Sequence, residues 1–126
     1  MKLGRKITGG KYKKFNKKKK YSLRVEERKV KLRETKSKTL RGMGGNKKTV
    51  LLSSNIANVI NPETKKSKKV KILNVLETPS DRFLARQNVL VKSAIIETEL
   101  GKARITNRPS QEGNVQAELL DLSNKK

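Results

Sequence analysis

The side chains of this sequence that could do chemistry are mostly cations. There are 33 Lys and Arg against 11 Asp and Glu, which gives a net charge of +22. A compact body with this charge repels itself and is best stabilised against a dense anionic polymer or surface. With no cysteine and no histidine, disulfides, thiolate zinc sites, thiol catalysis and the commonest general base are excluded. The composition therefore favours polyanion binding over catalysis, with nucleic acid as the first candidate.

Most of the charge lies at the N-terminal end. Residues 1–48 hold 20 Lys and Arg against 3 acids, whereas residues 49–126 hold 13 against 8. Residues 1–21 also carry three of the four aromatic side chains. We expect this arm to be extended, and disordered when free, with its lysines on phosphates. Stacking of the rings on unpaired bases and packing of the rings on the body both remain open. The predicted RNA-binding residues of the arm are Lys2, Arg5, Lys6, Lys11, Tyr12, Lys13, Lys14, Phe15, Lys17, Lys18, Lys19 and Lys20.

Three glycines fall within residues 41–46, where the charged arm meets a more apolar sequence. Glycine lets backbone N–H groups approach an anion closely, but the spacing matches neither a P-loop nor a dinucleotide-binding loop. We interpret the segment as a hinge laid against a nucleic-acid backbone, with a plain linker as the alternative. The predicted RNA-binding residues here are Arg41, Gly44, Gly45, Asn46, Lys47 and Lys48.

Residues 22–38 alternate charged and aliphatic side chains and allow several interpretations. Glu27 precedes Lys31 by four residues, which would support a short helix. The same sequence fits strand-like alternation in places. A short helix, an irregular arm and a plain solvated segment all remain open.

Residues 49–122 have the pattern of a small β domain. Short apolar runs lie at residues 49–52, 56–60, 70–76, 89–91, 94–99, 103–106 and 115–120, with turn signals between them. Residues 78–81 open either another loop or a single helical turn, since Ser80 or Asp81 could cap residues 82–86. We predict a mainly β fold: a small closed or nearly closed β-barrel of about six strands. The basic arm of residues 1–48 precedes it, and a frayed tail of residues 123–126 follows it.

Within the β domain, the best candidates for phosphate contact are arginines, whose planar fork suits phosphate better than a lysine does. Arg82, Arg86 and Arg108 are predicted to bind RNA, and the lysines of residues 65–69 could reach a phosphate or be simply solvated. Glu97 and Glu99 would share one face of a strand, but no nucleophile lies near them, which favours a solubilising surface. No catalytic residue, metal, cofactor, small-molecule substrate or membrane span is expected.

Several short motifs occur in a fixed order along the chain. They are Thr8-Gly9-Gly10 before the lysine run, Gly44-Gly45-Asn46, residues 55–59, residues 71–73, residues 94–103, Asn107-Arg108-Pro109 and residues 111–113. In these motifs the chain resembles the small-subunit ribosomal protein family called S-eight of the e type, in its archaeal form. One departure is Met43-Gly44, since the family usually has a basic residue before Gly-Gly-Asn and Arg41 lies further upstream.

The resemblance implies a β-barrel body on the small ribosomal subunit, an N-terminal extension along ribosomal RNA, and a role in assembling and stabilising that RNA without catalysis. Its partners would be small-subunit ribosomal RNA and neighbouring ribosomal proteins, in the cytoplasm. A chromatin-like protein that coats duplex DNA is the alternative. A nucleic-acid-processing enzyme is a third class, which metal-dependent turnover would reveal.

Overall fold

The computed structural model describes residues 4–12, 17, 19, 21 and 28–120. Its strands are β1 (Lys31–Leu32), β2 (Lys36–Arg41), β3 (Lys47–Ser54), β4 (Ile56–Ile60), β5 (Ser67–Glu77), β6 (Ile95–Thr98), β7 (Gly101–Ile105) and β8 (Gln116–Leu119). The α-helix seen within these residues is α1 (Arg82–Arg86), and a 3-10 turn covers Met43–Gly45.

Strands β4 to β8 form a closed barrel in which each strand is antiparallel to the next. Five strands that alternate in direction leave the first and last pointing the same way, so the closing β4–β8 pair is parallel. On β5 the inward residues are Val70, Ile72 and Val75, and the change from even to odd numbers follows a register shift after Ile72. The predicted closed β-barrel is confirmed, with five strands rather than about six.

A second, three-stranded sheet has the order β1-β3-β2. Strands β2 and β3 form an antiparallel hairpin, and β1 lies parallel to β3 on its other side. Val30, just before β1, and Leu51 of β3 are buried in the same hydrophobic cluster as the barrel residues. The sheet therefore shares one core with the barrel.

The helical interpretation of residues 22–38 is wrong for residues 28–38, the part of that segment that the structure describes. These residues form β1, a loop and β2. A helix of this length is marginal in water, whereas pairing with β3 satisfies the backbone and buries Val30.

Residues 89–91, predicted as a strand, form a loop with one isolated bridge between Lys31 and Val89. The Val30 carbonyl accepts a hydrogen bond from Leu90 N at 2.7 Å, and Val89 and Leu90 are buried. Burial, rather than a strand ladder, accounts for this apolar run.

Helix α1 matches the predicted helical turn. The Asp81 carboxylate accepts a hydrogen bond from Phe83 N at 2.9 Å, so Asp81 is the cap rather than Ser80. At five residues, α1 is far too short to cross a membrane, and the described residues contain no helix that could.

Candidate nucleic-acid interface

The arm is described only in part. Residues 5–11 fold into a tight turn, in which Gly9 N donates to Lys6 O and Lys6 N donates to Gly10 O, both at 2.9 Å. This differs locally from the extended conformation that was expected. Of the predicted RNA-binding residues, Arg5, Lys6, Lys11, Tyr12, Lys17 and Lys19 are exposed. Lys2, Lys13, Lys14, Phe15, Lys18 and Lys20 lie outside the described residues, so RNA contact by the arm stays a prediction.

The glycine-rich segment is the turn of the β2–β3 hairpin. Gly42 N donates to Asn46 O at 2.6 Å, and the Asn46 side-chain amide donates to Met43 O at 3.2 Å. Gly44 and Gly45 have φ of 66° and 77°, a region that glycine adopts without strain. The segment thus connects two paired strands of one sheet and is no plain linker. The hinge, and the division between arm and domain at residue 48, stay predictions.

The hairpin separates the cations that flank this turn. Arg41 and Lys47 are directly paired across the strands, so their side chains share one face of the hairpin. Lys48, the next residue, points to the other face. The six predicted residues are therefore close in space but do not form one patch.

The main basic surface of the body consists of three adjoining grooves, which we call together the basic band. The strand groove, of about 390 Å³, is lined by Lys29, Lys31, Arg33 and Lys36. The central groove, of about 660 Å³, is lined by Arg28, Lys29, Lys92 and Arg108. The loop groove, of about 610 Å³, is lined by Lys48, Lys92 and Arg108. The strand and central grooves share Lys29, and the central and loop grooves share Lys92 and Arg108. The cations therefore form one continuous surface.

Arg108 is positioned by the loop between β7 and β8, which packs on β3. Pro109 is fully buried, and the Pro109 and Glu112 carbonyls both accept from Leu51 N, at 3.3 and 3.1 Å. A Cβ at Gly113 would lie 3.3 Å from Thr49 Cγ2, so glycine allows this close approach. The loop is fixed by backbone hydrogen bonds and burial, which leaves the exposed Arg108 side chain available for a ligand.

Two other cations of the basic band are tied to the same loop. The half-buried Arg28 donates to Ser110 O from Nε and Nη2, at 3.3 and 3.1 Å. Lys48 Nζ donates to the side-chain oxygen of Gln111 at 2.6 Å. These contacts connect the segment before β1 and the start of β3 to the Arg108 loop, so they join three distant parts of the sequence within the band.

The charge in the basic band is largely uncompensated. Its eight cations are accompanied by two acids, Glu34 and Glu112. Glu112 accepts a hydrogen bond from the Asn107 amide at 2.8 Å. Within the described part of the chain, no acidic oxygen lies within 4.0 Å of a band cation's charged nitrogen. Among the described residues, the band therefore presents positive charge that its own acids do not neutralise, and an external anion could do so.

Arg82 and Arg86 line a different groove, of about 510 Å³, together with Asn74, Asn88 and Glu77. This groove shares no lining residue with the three grooves of the basic band. The predicted arginines of the folded part are therefore not brought together, because Arg108 alone belongs to the band.

Comparison with known proteins identifies the family. The family model described as ribosomal protein S8e matches residues 1–120. The chain belongs to the S8e family. Small ribosomal subunit protein eS8 of Methanococcus aeolicus is 48% identical over 118 residues, which cover 93% of this chain and 92% of that protein. The eS8 proteins of Sulfurisphaera tokodaii and Methanosarcina barkeri are 46% and 38% identical over 117 residues. These alignments cover 92% and 93% of this chain, and 91% and 94% of the two relatives.

Family membership confirms the resemblance read from the motifs, but the motifs did not locate the basic band of this S8e member. Sequence reasoning missed Arg28, Lys29, Lys31, Arg33, Lys36 and Lys92 as site residues. A signal was present in residues 29–33, where cations and the aliphatic residues Val30 and Leu32 alternate with the period of a strand. That alternation puts the aliphatic side chains on the core side and the cations on the surface. Lys92 carried no such signal.

Proposed function

We propose that this protein is a structural component of the small ribosomal subunit that binds and stabilises ribosomal RNA, supporting subunit assembly and translation without catalysis. The proposal is supported by membership of the S8e family and by the names of the relatives. The observation that carries it is the basic band, whose eight cations line three adjoining grooves without acidic partners among the described residues. Its partners would be small-subunit ribosomal RNA and neighbouring ribosomal proteins, at the cytoplasmic ribosome.

The band would bind RNA mainly through phosphates. Each lysine or arginine that meets a phosphate releases condensed counterions, which favours binding and makes the affinity depend on salt. Backbone contacts of this kind carry little sequence information, so the shape of the folded RNA selects the binding site. Arg108, held by the buried Pro109, and Arg28, fixed on Ser110 O, give the band a preformed geometry.

The arm would add contacts of a second kind. Arg5, Lys6 and Lys11 are exposed near a half-exposed Tyr12 ring, and Lys6 Nζ lies 5.8 Å from the centre of that ring. Cations beside an exposed ring suit a phosphate and an unpaired base of the same strand. No comparison supports the alternative of a protein that coats duplex DNA.

A competition experiment tests the proposal. Full-length protein bound to folded small-subunit RNA is challenged at matched salt with unlabelled duplex DNA, and then with the same RNA unlabelled. We expect the RNA to compete at a much lower concentration than the DNA, and the protein to co-sediment one-to-one with small subunits after a high-salt wash. Tighter binding to duplex DNA, together with loss from the subunits, would contradict the ribosomal assignment.

A further inference from the structure

The central groove of the basic band is lined by three aliphatic side chains, whereas the strand groove is lined by one, Leu52, and the loop groove by none. Leu84 and Val91, which are half-buried, and the fully buried Val89 line this groove, and we call these three side chains its apolar floor. Lys29, Lys92 and Arg108 stand around the floor, and no acidic side chain of the described residues lines the groove. A purely phosphate-binding surface has no use for exposed apolar side chains, which cost free energy when left in water. The ligand should therefore have both an apolar face and negative charge.

Building on the proposed function, we propose that the central groove receives one unpaired nucleotide of the bound RNA, with its base on the apolar floor and its phosphates at the cationic rim. A bulged or single-stranded base offers a flat apolar face, whereas a base inside a duplex does not. The volume of about 660 Å³ lies within the range of about 300–1,000 Å³ typical of small-molecule sites. Shape, apolar floor and charge thus agree on the same ligand.

The polar wall of the groove matches the edge of a base. Gln111 lines the groove, and its side-chain oxygen accepts from Lys48 Nζ at 2.6 Å. A lysine can only donate, so this contact fixes the amide with its NH₂ group free to donate elsewhere. The NH₂ group is then available to a base carbonyl or ring nitrogen at the mouth of the groove.

The neighbouring grooves provide a path for the rest of the strand. The strand groove continues from Lys29, and the loop groove continues from Lys92 and Arg108. An RNA strand with one base in the central groove would thus have its flanking phosphates on cations in both directions. The carboxylate side chains of an acidic peptide could neutralise the rim, but they carry no flat apolar group to cover the floor.

Three RNA hairpins of the same length test the proposal with full-length protein. The first has a single-nucleotide bulge, the second has the same bulge without its base, and the third is fully paired. We expect the bulged hairpin to bind about tenfold more tightly than either of the others, since one stacked base contributes this order of affinity. Methyl resonances of Leu84 and Val91 should shift with the bulged hairpin and not with the abasic one.

Substitutions locate the effect in the groove. Leu84→Ser should remove the preference for the bulged hairpin over the paired one. Leu73→Ser is the matched control, because Leu73 is 58% exposed on β5 and lines none of the four grooves described above. Gln111→Ala, at an exposed position, should also weaken the preference for the bulged hairpin. This variant replaces Leu84→Ser in the test if Leu84→Ser does not fold.

The outcomes separate the nucleotide site from the proposed function. Equal affinity for all three hairpins would overturn the nucleotide site and leave RNA binding intact. Failure to bind any of them would contradict RNA binding itself. Displacement of the bulged hairpin by oligoglutamate at equal charge concentration would assign the central groove to an acidic peptide and overturn the proposal.

Discussion

On the outward face of β6, β7 and β8 the charged side chains face one another, whereas in the basic band they do not. Glu97 is paired with Lys102 across β6 and β7. Arg104 is paired with Glu118 across β7 and β8, with Nη2 and Oε2 3.9 Å apart. The band has eight cations and two acids, and none of those cations has an acidic partner among the described residues.

The first surface neutralises its own charge, whereas the second has the cations that the proposed RNA ligand would neutralise. Opposite charges across a ladder neutralise each other at little gain or cost in water. Cations without partners repel one another, and binding of a polyanion relieves that repulsion. The two surfaces also lie on different kinds of sheet. The paired charges lie on the closed barrel, whereas part of the band lies on the β1-β3-β2 sheet, which is open and has free edge strands. Lys36, Lys38 and Arg41 lie on its free edge strand, where charge discourages pairing with another chain.

The largest expected effect tests whether the open sheet and the barrel are one folding unit. Leu51→Ala on β3 removes a side chain that is 1% exposed from the shared core. We expect a loss of about 2–5 kcal/mol in the free energy of unfolding. Urea denaturation followed by circular dichroism measures this loss, and amide hydrogen exchange shows where it acts.

The barrel substitution Ile96→Ala is the control for this comparison. Ile96 is fully buried on β6, in the same cluster as Leu51. Both variants should lower the protection of amides in the barrel and in the sheet together. If Leu51→Ala left the barrel amides fully protected, the sheet would be an independent folding unit. The comparison between the basic band and the β6–β8 face would then be a comparison between two domains.

The next effect compares one lysine and one arginine removed from each surface. Lys92→Gln with Arg108→Gln takes two cations from the basic band, and Lys102→Gln with Arg104→Gln takes two from the β6–β8 face. Each lost phosphate contact should make the log–log salt dependence of RNA binding shallower by about 0.7–0.9. The band variant should therefore lose about 1.4–1.8 units of slope, and the control should lose almost none.

Fluorescence anisotropy titrations between about 50 and 200 mM salt measure both slopes. Between these two salt concentrations, the affinity of the band variant should therefore fall by roughly tenfold less than the affinity of the control variant. Equal slopes for the two double variants would mean that RNA responds to net charge alone, and the distinction between the surfaces would fail.

The barrel could be predicted from the sequence because its signals are local. The strand at residues 56–60 was predicted with the bounds that β4 has, and Asp81, the cap of α1, was one of the two cap candidates. Turn residues and short β-branched runs report on the few residues around them. The closed topology followed from their number and spacing, and family membership followed from the order of short motifs.

The basic band could not be predicted because it is assembled by contacts between distant residues. Arg28 and Ser110 are 82 positions apart, and Lys48 and Gln111 are 63 apart. Residues 28–38 were ambiguous for the same reason, since only pairing with β3 makes them strands. Glycine composition at residues 41–46 also fits a turn and a linker equally well, and the pairing of β2 with β3 decides between them.

A smaller effect is expected at the hairpin turn, where the sheet that carries the band begins. Gly45 has φ of 77°, and a Cβ there would have no heavy atom within 4 Å, so Gly45→Ala tests backbone strain alone. We expect a loss of about 1 kcal/mol in stability. Gly42→Ala is the control, because Gly42 has φ of −96° and a Cβ there would make ordinary contact with Asn46 O at 3.5 Å. Equal losses for both, measured by urea denaturation, would show that φ is not what requires glycine at position 45.

The smallest effect concerns the outward face of β6, β7 and β8, which we expect to contribute little to RNA binding. The test asks whether this is because acids neutralise its cations or because the face lies away from the RNA. Glu97→Gln with Glu118→Gln leaves Lys102 and Arg104 without their cross-strand acids and raises the net charge by two. Exposed pairs of this kind contribute at most about 1 kcal/mol each, so the unfolding midpoint should move little. Charges further than about 8 Å from a bound phosphate are largely screened at physiological salt. RNA affinity should therefore change by less than about twofold. An increase as large as the decrease caused by removing Lys92 and Arg108 would mean that any unpaired cations on this body bind RNA, and that the grooves themselves contribute nothing.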